Sequence, residues 1–338
     1  MRAVVLEKPG KFALEELETP EEPGSGEALV YVRRIGVCGT DLHAFRGSHP
    51  LVEYPRILGH ELGVEVIAVG ENNNGLKVGD RCAVEPYLTC GSCVACRRGR
   101  TNCCVELKCL GVHTDGGMQD KMILPVSKLH KSDTLSLDQL VLVETLGIGA
   151  HAVERAFLSP GERVLVIGVG PIGMSVIEFV KQKQAQVIAM DLNQRRLDFC
   201  SRELGVEHCI QGKANAIEQL QETLSGALPT TVFDCTGSSQ SMMNAFQYVA
   251  HSGTLLFVGL FSGNVTFHDP EFHMRELTLL SSRNATGKEH EQIIKLMESG
   301  RIAVGSWITH RISSSSIAES FSQWVNAESA HIKAIIDW

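Results

Sequence analysis

Two rhythms of apolar residues divide the chain. Up to about residue 145, short β-branched runs at 28–32, 64–69, 81–84 and 122–124 are separated by Gly, Pro and polar turn signals. That pattern predicts an irregular, β-rich domain. Residues 1–6 form a further apolar run and predict its first strand. From about Ala150 the pattern becomes strand–helix alternation. Strands are expected at 163–168, 186–191, 207–210, 231–235 and 254–259, with helices at 171–183, 193–204, 214–224 and 241–249. Alternation of this kind builds a doubly wound α/β domain, a parallel sheet covered on both faces. A last strand at 277–282, a helix at 290–299 and a polar tail, with 313–316 as a solvated turn, return the chain to the first domain. The expected division is 1–148, 149–284 and 285–338.

A chain of 338 residues exceeds one ordinary core. Its 43% hydrophobic and 21% charged content is ordinary for a globular protein. A net charge of -8 and a pI near 5.9 argue against a sequence-independent grip on nucleic acid. No apolar run approaches the roughly 20 residues needed to span a bilayer, and Glu7, Lys8 and Pro9 interrupt the N-terminal run too soon for a signal peptide. An odd total of 11 cysteines points to a reducing cytoplasm and metal ligation rather than a disulfide scaffold.

The chemistry begins with Gly168-x-Gly170-x-x-Gly173, enclosing Pro171 and Ile172. By itself the motif is weak and could mark a βα turn without a ligand. Here it follows an apolar strand, opens a helix and precedes Asp191 by 18 residues from its last glycine. Gly168 then permits the tight turn, Gly170 close approach to a pyrophosphate, and Gly173 helix–strand packing. Asp191 favours ribose hydroxyls and so NAD over NADP, although Arg195 and Arg196 could receive a 2′-phosphate.

Cys90, Cys93, Cys96 and Cys104 have the spacing of a closed tetrahedral zinc site. An iron–sulfur run would place its fourth cysteine sooner and follow it with Pro, whereas Val105 follows Cys104. Cys103 competes for the fourth position. Upstream lie Cys38-Gly39-Thr40-Asp41-Leu42-His43 and Gly59-His60-Glu61. Alone, Cys38 reads as a buried thiol and His43 as a surface residue. Joint occurrence with the cysteine lobe and the glycine loop gives them a different meaning.

On these motifs the chain resembles the zinc-containing medium-chain dehydrogenases of the alcohol, polyol and threonine dehydrogenase family over essentially its full length. The resemblance implies a GroES-like catalytic domain with a structural-zinc lobe at 88–106, and a Rossmann coenzyme domain. It implies two zinc ions per chain. Cys38 and His60 would hold the catalytic one, with Glu61 or Glu144 as a further ligand and Asp41 orienting the histidine. Small-molecule alcohols would be oxidised by NAD, with Thr40 and His43 carrying the proton away, in a homodimer or homotetramer. Bringing an alcohol from a pKa of about 16 toward the value of about 7 that zinc gives water is worth about 12 kcal/mol. Val64 after Gly63, Thr145 after Glu144, and Met118-Gln119-Asp120-Lys121 depart from the family pattern. The strings at 99–104, 111–117, 269–273 and 282–286 look like the bacterial L-galactonate oxidoreductase branch, which implies a sugar-acid substrate. Arg283, Arg46 and His113 are candidates for its carboxylate. A sorbitol-type polyol or L-threonine is the alternative substrate, and a catalytically silent NAD- and zinc-binding sensor the alternative class.

Overall fold

The computed structural model describes residues 1–325 and 332–338. Backbone contacts divide the chain into two units, Met1–Glu144 with Thr286–Trp338, and Thr145–Ala285.

The first unit is built on a seven-stranded sheet. Its order runs Leu129–Lys131, Arg81–Val84, Glu61–Val69, Glu27–Val37, Lys333–Asp337, Ile308–Ser313, with Lys121–Pro125 also pairing to Glu27–Val37. All these pairings are antiparallel except the last neighbours, Ile308–Ser313 and Lys333–Asp337. Arg2–Lys8, Lys11–Glu16 and Arg56–Ile57 form a smaller sheet against it. Leu6, Ile35, Leu58, Leu62, Met118 and Phe321 are completely or almost completely buried in the shared core.

The polar tail expected after residue 299 is not what forms. Residues 308–313 and 333–337 are strands, and four of the five residues in Lys333–Asp337 are buried. Sequence pattern missed this because Lys333 and Asp337 bracket only three apolar residues. Partner strands on both sides supply the burial that the local pattern does not announce.

The second unit carries a six-stranded parallel sheet in the order His208–Gln211, Gln186–Asp191, Arg163–Ile167, Thr231–Asp234, Thr254–Phe257, Thr278–Ser281. Counted along the chain this is 3-2-1-4-5-6, so the strand order reverses beside Arg163–Ile167, where ligands of doubly wound sheets bind. Arg163–Ile167 is a strand for the expected reason: four consecutive apolar residues, all buried. The helix at 171–183 runs Pro171–Gln182 with Pro at its first position, which pre-sets φ and needs no N–H partner. The helix expected at 290–299 starts earlier, at Gly287, because Thr286 and Glu289 close a capping box.

Candidate active site and metal centres

Cys38 follows the central Glu27–Val37 strand directly and is the N-cap of the helix Gly39–Arg46. His60 and Glu61 enter the adjacent strand, where Glu61 pairs with Gly36. The register therefore brings residues from 23 positions apart into one group. The ligand atoms of Cys38, His60 and Glu61 all lie within 4.8 Å of one another. Asp41 is 1% exposed and accepts the Cys38 N–H at 2.9 Å and the Gly59 N–H at 3.3 Å. The oxygen that accepts the Gly59 N–H, Oδ1, also stands 3.8 Å from His60 Nδ1, an electrostatic contact longer than a hydrogen bond.

This group favours positive charge. Burial pushes the His60 imidazole down, but Asp41 and then the Cys38 sulfur outweigh it, and the net direction is well above the usual range. Burial pushes the Asp41 carboxyl up, against the pull of His60 and the two N–H donors. The Cys109 thiol nearby is pushed by burial up to about 12, so it stays protonated. Thiolate, imidazole and carboxylate together are a borderline-soft donor set that suits zinc.

Glu144 lies in the first turn of the helix Val143–Ala156, is 5% exposed, and accepts the Tyr87 hydroxyl. Burial raises its pKa and Glu61 adds to this, against His60, Tyr87 and Lys333. Glu61 is in turn paired with the buried Lys333 ammonium. Neither Tyr87 nor Lys333 was singled out from sequence. The available signal was one lysine set in the apolar string Ile332-Lys333-Ala334-Ile335-Ile336.

Thr40 is half-buried in the first helical turn after Cys38. His43 is exposed, with Nδ1 3.2 Å from Ser48 Oγ. The other candidates are engaged elsewhere. Arg46 is exposed and donates to the Val325 carbonyl. His113 Nδ1 accepts the Cys109 N–H at 3.0 Å. Arg283 is exposed just past the strand Thr278–Ser281. Two departures have structural reasons. A Cβ at Gly63 would meet the Leu137 carbonyl at 2.7 Å, and Asp120 is held by Arg2 and by Trp338 Nε1 at 3.1 Å each.

The sulfurs of Cys90, Cys93, Cys96 and Cys104 also lie within 4.8 Å of one another, with Cys90 and Cys104 at 3.5 Å. Backbone N–H groups point at the sulfurs: Cys90 N–H to Cys104 and Cys93 N–H to Cys90, both at 3.3 Å, and Cys96 N–H to Cys93 at 3.5 Å. Such donors stabilise thiolates. Those from Cys96 and Val105 draw Cys93 down to about 6. Cys103 is exposed and outside the group.

In the second unit Gly168 has φ +80°, which a glycine adopts without strain. A Cβ at Gly173 would strike the Gly168 carbonyl, so that close packing requires glycine. Gly170 precedes Pro171 and Ile172 at the helix start. Asp191 ends its strand and accepts the Val169 and Asn193 N–H groups, each at 2.8 Å. Arg196 Nη1 stands 3.7 Å from the same carboxylate. Among the described residues, no helix is long and apolar enough to cross a membrane.

The chain is similar to known proteins along nearly its whole length. The family profile "Alcohol dehydrogenase GroES-like domain" matches residues 24–134, and "Zinc-binding dehydrogenase" matches 171–299. L-Galactonate-5-dehydrogenase of Escherichia coli (strain K12) is 38% identical over 336 residues, covering 99% of this chain and 98% of that protein. An alcohol dehydrogenase (rspB) of E. coli CFT073, solved with NADH, superposes with a TM-score of 0.92 at 27% identity, covering 100% and 99% of the two chains. A protein described as a zinc-binding dehydrogenase, from Sinorhizobium meliloti 1021 and bound to NADP, gives 0.91 at 25% identity, covering 100% and 99%. With a GroES-like unit, a Rossmann unit and a full-length relative at this identity, the chain belongs to the zinc-type alcohol dehydrogenase family of oxidoreductases.

Proposed function

We propose that this protein is a zinc- and NAD-dependent dehydrogenase that oxidises a secondary hydroxyl of a sugar acid of the L-galactonate kind to a ketone. The observation that carries the reading is the Cys38–His60–Glu61 donor group, with His60 and Glu61 buried, in a chain that also holds the glycine loop. The substrate class is supported by the similarity to L-galactonate-5-dehydrogenase along nearly the whole chain.

Zinc held by Cys38, His60 and a carboxylate supplies a Lewis acid that makes a substrate hydroxyl acidic, and NAD supplies the hydride acceptor. The remaining work falls to the chain. Asp41 fixes the orientation of the His60 ring from its Nδ1 side. Tyr87 holds the Glu144 carboxylate by its hydroxyl hydrogen. Thr40 receives the substrate proton through its single hydroxyl and hands it toward His43, which is exposed to water. Cys90, Cys93, Cys96 and Cys104 would hold a second zinc, and four thiolates would leave it no position for catalysis. Gly168, Gly170, Pro171, Ile172 and Gly173 receive the pyrophosphate of the coenzyme. Asp191 carries a negative charge where a 2′-phosphate would be repelled, which favours NAD, and Arg196 steadies that carboxylate. Arg283, Arg46 and His113 are the candidates for the substrate carboxylate, and the similarity to the L-galactonate branch supports Arg283 first.

An NAD-reduction screen over sugar acids, neutral polyols and amino-acid alcohols tests the assignment. Activity on sugar acids is expected, and reduction by neutral polyols alone would overturn it. Metal analysis tests the cofactors and the sensor alternative together: two zinc ions per chain with turnover are expected.

A further inference from the structure

The Glu61 and Lys333 side chains form an ion pair and are 1% and 2% exposed. Glu61 lies opposite Gly36 on one side of the Glu27–Val37 strand, and Ala334 lies opposite Val37 on the other. The pair therefore reaches across the central strand. It does so at the only residue of that strand without a side chain, where a Cβ would run into the Glu61 carboxylate.

We propose that Lys333 is a positioning residue that holds Glu61 by one carboxylate oxygen and thereby keeps one coordination position of the metal open. The inference rests on the zinc reading above. Cys38, His60, Glu61 and Glu144 are four candidate ligands, and four protein ligands close a tetrahedral zinc site. A catalytic site needs three and an exchangeable position. A carboxylate buried as deeply as Glu61 requires a cation. With Lys333 present the ammonium meets that need, and Glu61 donates weakly to the metal. Without Lys333, Glu61 loses the cation the structure pairs it with and moves onto the metal. Glu144 differs: its hydrogen-bond partner is the neutral Tyr87 hydroxyl, and Lys333 acts on it as a nearby charge rather than as an ion-pair partner.

The test is the rate at which purified, zinc-loaded enzyme surrenders zinc to a chromogenic chelator, with the phase from Cys90, Cys93, Cys96 and Cys104 as internal reference. Lys333→Met should slow release of the other zinc about tenfold, the lower end of what outer-shell partners are worth. It should also lower kcat, and cobalt-substituted protein should show an altered visible absorption spectrum. Adding Glu61→Gln to Lys333→Met should abolish the slowing, and Lys333→Arg should behave as wild type. If Lys333→Met does not fold, Lys333→Gln removes the charge, keeps a donor to Glu61, and is read the same way. Release as fast as or faster than wild type in the neutral variant would reduce Lys333 to a structural counter-ion and overturn the proposal. A wild-type protein that carries only the four-cysteine zinc would instead refute the zinc reading itself.

Discussion

Within the first unit, the helix Gly287–Glu298 packs on the strand Leu129–Lys131 through a buried histidine pair, and this makes a pH-dependent stability term that can be worked out in advance. His290 is fully buried, donates Nδ1–H to the Thr286 carbonyl at 3.0 Å, and stacks on His130 with ring centroids 5.1 Å apart. Its Nε2 has no hydrogen-bond partner among the described residues. Glu85 lies 3.4 Å from His130 Nε2 and is also paired with Lys128 at 2.5 Å. Burial first, then His130, pull the His290 imidazole down to about 4, against the Thr286 carbonyl, Glu85 and Glu289. Between 6.5 and about 4 the unfolded chain binds a proton here that the folded chain does not. Stability is therefore full above pH 6.5, falls as the pH drops, and stops falling below about 4. At pH 5 the gap from 6.5 is about 1.5 units, which costs about 2 kcal/mol. His290→Phe keeps the ring stack and removes the titration. Urea unfolding at pH 8 and pH 5 should show the wild type losing about 2 kcal/mol more than the variant, with acid-driven loss of metal common to both. Equal losses in the two proteins, or an imidazole resonance from His290 titrating near 6, would refute the reasoning.

Four further outcomes follow from the geometry. Cys38→Ser should lower the zinc content from two ions to one and abolish turnover while leaving NAD binding, read by metal analysis and by coenzyme fluorescence. Gly36→Ala drives a methyl into the Glu61 carboxylate and should cost about 1–3 kcal/mol in denaturant unfolding, together with loss of activity. Asp191→Ala removes the charge opposed to a 2′-phosphate, and the ratio of kcat/KM for NAD over NADP should fall at least tenfold, or about 1.4 kcal/mol. Asp41→Ala leaves the Cys38 and Gly59 N–H groups without their acceptor and should weaken zinc binding at Cys38 and His60 by 10–100-fold, measured by competition with a chelator.

What could be read from sequence and what could not has a physical division. Ligands and coenzyme loops are local chemistry. Cys90, Cys93 and Cys96 sit on one turn-rich lobe, and Gly168, Gly170 and Gly173 surround one strand-to-helix turn, so spacing alone is enough to propose them. The parallel sheet was legible too, because strands such as 163–167 are buried on both faces and written as continuous apolar runs. The charges that complete the site are not local. Lys333 reaches Glu61 across 272 residues of sequence, and Tyr87 reaches Glu144 across 57. Neither carries a motif, since any residue that arrives at the right register with the right charge will serve. Gly36 is the trace such a pair leaves behind: a glycine inside a strand costs backbone entropy and contributes no side chain, so something must occupy the space. Here that something is a carboxylate on its way to an ammonium. A strand glycine two residues before a candidate ligand cysteine is therefore a signal to search the rest of the chain for a buried acid–base pair, and the single lysine in an apolar terminal strand is where that search ends.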